Sequence, residues 1–154
     1  PRVTYTPFPF QIVQTPNRLA LLYEYLHVTR NVYMNAPHLK DGLDWWMGDS
    51  RGHWEGDTLV VDVNNFNDKT WFDRAGNFHS NALHVIERYT LVDRDHIAYE
   101  ATIEDPKVFT RPWTMSMPLY RRLEKNAQLL EFKCVPFSEE LIYGHLRRGA
   151  ASAR

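Results

Sequence analysis

Apolar and polar positions alternate with a period of two along most of this chain, which predicts strands and very little helix. A first strand over Phe8 to Gln14 ends at the turn cluster Thr15-Pro16-Asn17. From Arg18 to Met34 the chain is rich in Leu, Val and Tyr and holds neither Gly nor Pro, so the pattern predicts one long, bent strand. Alternation puts Ala20, Leu22, Glu24, Leu26, Val28, Arg30 and Val32 on one face, and Leu21, Tyr23, Tyr25, His27, Thr29 and Tyr33 on the other. Asn35 to Ser50 reads as a loop with one helical turn around Leu43 to Met47. Arg51 to Trp54 and Thr58 to Val63 flank Glu55-Gly56-Asp57, whose glycine and aspartate supply hairpin chemistry.

Asn64 to Ala82 is a polar loop studded with Trp71, Phe72, Phe78 and His79, and connections of that length are often functional. Leu83 to Val92 and His96 to Glu104 form a second hairpin about Asp93-Arg94-Asp95. Thr110 to Tyr120 and Gln128 to Val135 form a third pair, with Pro112 and Pro118 restricting the former to an edge or a bulge. Ser138 caps a short helix over Glu139 to Arg148, and residues 149–154 read as a loose tail. Seven or eight sequential strands over residues 1–148 predict one all-β domain. The first choice is an antiparallel up-and-down barrel of the calycin-like type, and the second a jelly-roll sandwich. An eight-stranded barrel has room for one small ligand, which draws attention to its interior.

Composition narrows the classes. With 44% hydrophobic and 24% charged residues, the 154-residue chain is globular rather than disordered. A net charge of -1 and a pI near 6.8 argue against nucleic acid as a partner. No apolar run approaches the roughly 20 residues that cross a bilayer. The start at Pro1 rather than Met indicates a processed or truncated chain, so the lack of a signal peptide carries no weight. A lone Cys134 excludes an internal disulfide and reads either as a buried thiol or as a half-cystine with a partner upstream of Pro1.

Three constellations carry candidate chemistry. His79, His84 and Glu87, with His96 across the hairpin and His27 as a further donor, offer imidazole and carboxylate ligands for a transition metal. Alternation sets His84 and Glu87 on opposite faces, so a bulge is needed to unite them, and hydrogen-bonded strand-end histidines are the structural counterpart. Glu24, Arg30, Asp62, Arg88 and Glu100 lie on otherwise apolar strand faces. A carboxylate there needs a partner, so Glu24 is expected to meet Arg30 or Arg88, as a structural ion pair or as a grip on a polar ligand. Trp45, Trp46, Trp54, Trp71, Phe72 and Trp113 supply rings for stacking on a sugar or aromatic ligand, or for plugging the barrel ends. Paired carboxylates drawn from Asp62, Glu87, Glu100 and Glu104 are too common a feature to signal a glycosidase. No nucleophile elbow, phosphate loop or dinucleotide fingerprint is present.

The segments Pro7 to Gln14, Trp54 to Asp62 (WEGDTLVVD) and Glu104 to Trp113 (EDPKVFTRPW) carry a resemblance. Through them the whole chain resembles the C-terminal part of a group of uncharacterised secreted proteins of environmental bacteria. That resemblance implies an extracytoplasmic location, periplasmic or secreted, and an upstream segment whose cysteine would partner Cys134. It implies no catalytic residues. The leading expectation is therefore a barrel binding a small organic or saccharide ligand at a mouth framed by Trp45, Trp46 and Trp71, with Glu24, Arg30 and Arg88 inside. The alternatives are an enzyme, metal-dependent through His79, His84 and Glu87 or acid–base, and a structural subunit of an oligomer or larger assembly.

Overall fold

The computed structural model describes residues 2–40, 43–73, 75–133 and 135–146. Eight strands, β1 (Phe10–Gln14), β2 (Arg18–Tyr23), β3 (Thr29–Met34), β4 (Asp49–Glu55), β5 (Thr58–Asn64), β6 (His84–Asp93), β7 (His96–Glu104) and β8 (Trp113–Tyr120), make one sheet in sequential order. The sheet curls into a half-barrel. Its edge strands β1 and β8 are not paired with each other, so the closed barrel is not reached. Every ladder is antiparallel except β3–β4, which is parallel because residues 35–48 carry the chain back to the end where β3 began. That crossover departs from a strict up-and-down order.

The two predicted hairpins form where turn chemistry is explicit. Glu55 pairs with Thr58 across Gly56-Asp57, with Gly56 at φ 58. Asp93 pairs with His96 across the next turn. The long strand from Arg18 to Met34 is instead a hairpin of β2 and β3. Leu26 (φ 56) and His27 (φ 52) adopt the left-handed region and reverse the chain without glycine or proline. This turn also shifts the alternation: Leu19, Leu21 and Tyr23 point inward on β2, then Arg30 and Val32 on β3. Glu24 therefore leaves the strand altogether.

Pro118 lies in β8, an edge strand, where its missing N–H costs no ladder bond on the open side. The strand expected at Gln128 to Val135 does not form among the described residues. Its N–H groups go elsewhere: Leu130 donates to Glu24 Oε2 at 2.8 Å and Phe132 to His27 Nε2 at 3.0 Å. The Phe132 ring packs against Phe8 and Tyr25, with centroids 5.3 and 4.9 Å away. Ser138–Tyr143 is a six-residue helix, α1, and Cys134 and residues 147–154 lie outside the described residues. No described helix is long and apolar enough to cross a membrane.

The core lines the concave face. Leu19, Leu21 and Val32 meet Leu59, Val61 and Val63 of β5, Val85 of β6 and Ala101 and Ile103 of β7, all nearly inaccessible. Phe66, Phe72 and Leu83 close the core from the end that carries the β2–β3 turn and the β5–β6 and β7–β8 connections, called here the upper end.

Candidate functional site

Four segments meet at the upper end and line a cavity of about 440 Å3, the first of them the N-terminal 3-10 turn Arg2–Tyr5, which contributes Val3. The β2–β3 turn contributes Tyr25, Leu26 and Val28, its left-handed residues placing these side chains over the sheet's end. The β3–β4 connection contributes Trp46 and Met47. It is held down by backbone bonds from Trp45 to Asn65 (2.8 Å) and from Asn67 to Trp45 (3.1 Å). Gly48, at φ +69, lets this loop pass Phe66: a Cβ there would lie 2.7 Å from the Asn64 carbonyl and 2.9 Å from the Phe66 ring.

The β5–β6 connection supplies the rest of the wall: Phe66, Thr70, Trp71, Phe72, His79 and Leu83. Its described residues are folded on themselves by a bridge between Trp71 and Phe78 and a bond from Phe72 N–H to the Asn77 carbonyl (2.6 Å). Asp105, almost fully buried just past β7, anchors it by accepting from the Ser80 N–H (2.6 Å) and the Ser80 hydroxyl (2.8 Å). The residue beside Ser80 is His79, itself only 5% exposed, with its ring edge-on to Phe66 and Phe72. Its Nδ1 lies 3.1 Å from the Ser80 carbonyl and its Nε2 lies 2.6 Å from Thr70 Oγ1. Trp46 and Trp71, more than half exposed, form the rim. A second recess of similar volume at the opposite end is framed by turn residues such as Thr15, Pro16 and Asn35 with Trp54. It has no buried polar side chain.

Of the expected ligand-binding residues, the structure brings Trp46 and Trp71 to the cavity, with Trp45 one residue outside its lining. Glu24, Arg30 and Arg88 are not there. Arg30 and Glu87 pair with each other on the concave face, 3% and 0% exposed. Arg30 Nε also donates to Ser50 Oγ (2.8 Å), while Tyr99 and Tyr89 donate to Glu87 Oε1 at 2.7 and 3.3 Å. Burial alone would raise the Glu87 carboxyl, but the adjacent Arg30 guanidinium outweighs it and holds the group at about 2. Burial first, and the Glu87 carboxylate second, push the Tyr99 phenol far up. Arg88 faces outward and pairs with Glu55 at 2.8 Å, so neither predicted arginine meets Glu24.

The proposed metal set does not converge. The β6 ladder is regular from His84 to Leu91, so no bulge brings His84 and Glu87 to one face. Glu87 is committed to Arg30, and His79 stands in the cavity wall. His84 belongs instead to an outer-face chain of polar groups. Its Nδ1 and Nε2 face Glu104 (3.4 Å) and Asp62 (3.0 Å), and Asp62 also faces His38 Nε2 (2.9 Å). His38 Nδ1 continues to Asp49 (3.0 Å), which binds Arg51 and the Leu39 N–H. Burial raises the Asp49 carboxyl, but the bonds from Arg51, Leu39 and His38 bring it below its ordinary value. This chain ties the start of the 35–48 loop to the sheet. His27 accepts from Phe132 and His96 pairs with Asp93, far from any shared centre. Among the described residues, no three His, Cys, Asp or Glu side chains are grouped to hold a metal ion.

Thr70, Met47, Phe66 and Asp105 were not among the residues that the sequence pattern singled out for the site, whereas Phe72 was. The unusual length and ring content of the 64–82 segment was the one signal for Thr70 and Phe66, while Met47 reads in sequence only as part of a helical turn and Asp105 as a turn residue before Pro106. No family model matches the chain, and searches of curated proteins and solved structures return no match.

Proposed function

We propose that this chain is an extracytoplasmic binding module that takes a small, largely apolar, ring-bearing organic molecule into the upper cavity. The observation that carries the reading is a preformed recess of about 440 Å3 walled by tryptophan, phenylalanine and aliphatic side chains around buried His79 and its partly buried partner Thr70. Small-molecule sites have this character: an apolar lining of a few hundred Å3 with few, well-placed polar groups. A saccharide is the weaker fit, because its many hydroxyls require more partners than Thr70 and His79 provide. The extracytoplasmic part of the proposal rests on the sequence resemblance alone.

The test is calorimetric titration with small bicyclic aromatics. The expected result is saturable binding of one molecule per chain, weakened at least tenfold by Trp71→Ala and unchanged by Trp54→Ala, since Trp54 lies at the opposite end. Non-saturable binding, or loss through Trp54 instead, would overturn the reading.

A further inference from the structure

The hydrogen bonds of the cavity wall define which polar group a ligand can carry, on the reading that this cavity is the binding site. The Ser80 carbonyl can only accept, so His79 Nδ1 donates to it. With that proton on Nδ1, the tautomer leaves a lone pair at Nε2, and the Thr70 hydroxyl, 2.6 Å away, is placed to donate into it. Both side-chain protons of the pair are thereby committed within the wall. What Thr70 retains for the cavity is the lone pairs of its oxygen.

We infer that the cavity selects apolar molecules bearing a hydrogen-bond donor, a phenol or alcohol, over those bearing only an acceptor such as an ether or ketone. A hydroxyl placed at Thr70 Oγ1 extends a chain of donation through Thr70 to His79 and on to the Ser80 carbonyl. An acceptor placed there meets lone pairs against lone pairs and has lost its water, an unfavourable exchange for a buried polar atom. Of the other lining residues with polar tips, Trp46 and Trp71 are more than half exposed and Tyr25 is partly exposed, so their polar groups retain contact with water. Asp105 supports the arrangement from behind, because its two bonds to Ser80 set the carbonyl that orients the ring.

The experiment compares 2-naphthol, naphthalene and 2-methoxynaphthalene, which share one ring system and differ in the group offered. Isothermal titration of the intact protein near neutral pH is expected to find 2-naphthol bound about tenfold tighter than either of the others. The double variant Thr70→Val/His79→Phe removes both polar groups, and the preference, read as the ratio of the 2-naphthol and naphthalene affinities within the variant, should fall below about twofold. In Thr70→Val alone, the exposed Nε2 lone pair should keep the preference for 2-naphthol. Equal affinities for all three in the unaltered protein, or tightest binding of 2-methoxynaphthalene, would overturn the inference and leave the binding proposal standing. Binding of none of them would overturn both. The comparison within the unaltered protein decides the matter even where a variant does not fold.

Discussion

The Arg30–Glu87 cluster and the Thr70–His79 pair are both polar groups set among rings and aliphatic side chains, yet they are completed in different ways. In the first, a carboxylate receives Arg30, Tyr99 and Tyr89, and the guanidinium also reaches Ser50. Its members line neither the upper cavity nor the recess at the opposite end and are almost wholly inaccessible. In the second, two side chains satisfy each other and one carbonyl, on the wall of a recess that holds more than a dozen waters' worth of space. Polar groups closed on all sides specify a fold. Polar groups with capacity left facing a void are equipped to receive something.

Breaking the closed cluster should give the largest effect. Glu87→Ala strands Arg30 without its partner in the core, and loss of one member of a buried pair costs about 3–5 kcal/mol. Urea unfolding measures this, and the ligand affinity of the molecules that remain folded should be unchanged. A parallel fall in affinity would show that the two regions are not separable.

Acid sharpens the same contrast. Glu87 sits at about 2 in the fold against an ordinary 4.5, a depressed value. Its contribution is therefore fully present above about pH 4.5 and is lost as pH falls toward 2, on the order of 3 kcal/mol in all. A urea series across that window should show the loss, and Glu87→Gln should flatten it. An undiminished slope in the variant would assign the acid sensitivity to other carboxylates.

Gly48→Ala acts on the cavity from behind. The left-handed backbone and the contacts with Asn64, Val63 and Phe66 predict about 2 kcal/mol of destabilisation. Because Phe66 lines the recess, ligand affinity should fall as well, the opposite of the Glu87 result. The smallest effect is expected from His38→Asn. The partly exposed links to Asp49 and Asp62 are worth under about 1 kcal/mol, and release of the 35–48 loop that carries Trp46 should weaken binding only a few-fold.

Local pattern made part of this legible. The hairpins β4–β5 and β6–β7 follow directly from alternation and from Gly56-Asp57 and Asp93-Arg94-Asp95, and the ring-rich 64–82 segment already stood out by its length. The β2–β3 turn did not, since Leu26 and His27 are not residues that mark a left-handed reversal. Missing it reversed the facing of half the segment and paired Glu24 with the wrong neighbours. The partner of Arg30 lies 57 residues away, beyond any local period, and the parallel β3–β4 ladder depends on how the 35–48 connection folds back rather than on its composition. The Thr70–His79 pair is the same kind of fact. Nothing in a nine-residue spacing announces a hydrogen bond; only the folded loop does.

The most direct test of the binding account uses the five tryptophans as reporters. In a 15N-labelled sample, the indole N–H signals are followed through a titration with 2-naphthol, each assigned by a single Trp→Phe variant. The account predicts saturable shifts at Trp46 and Trp71, which line the cavity, and none at Trp54. Saturable shifts centred on Trp54, or no saturable shift at Trp46 and Trp71, would contradict it.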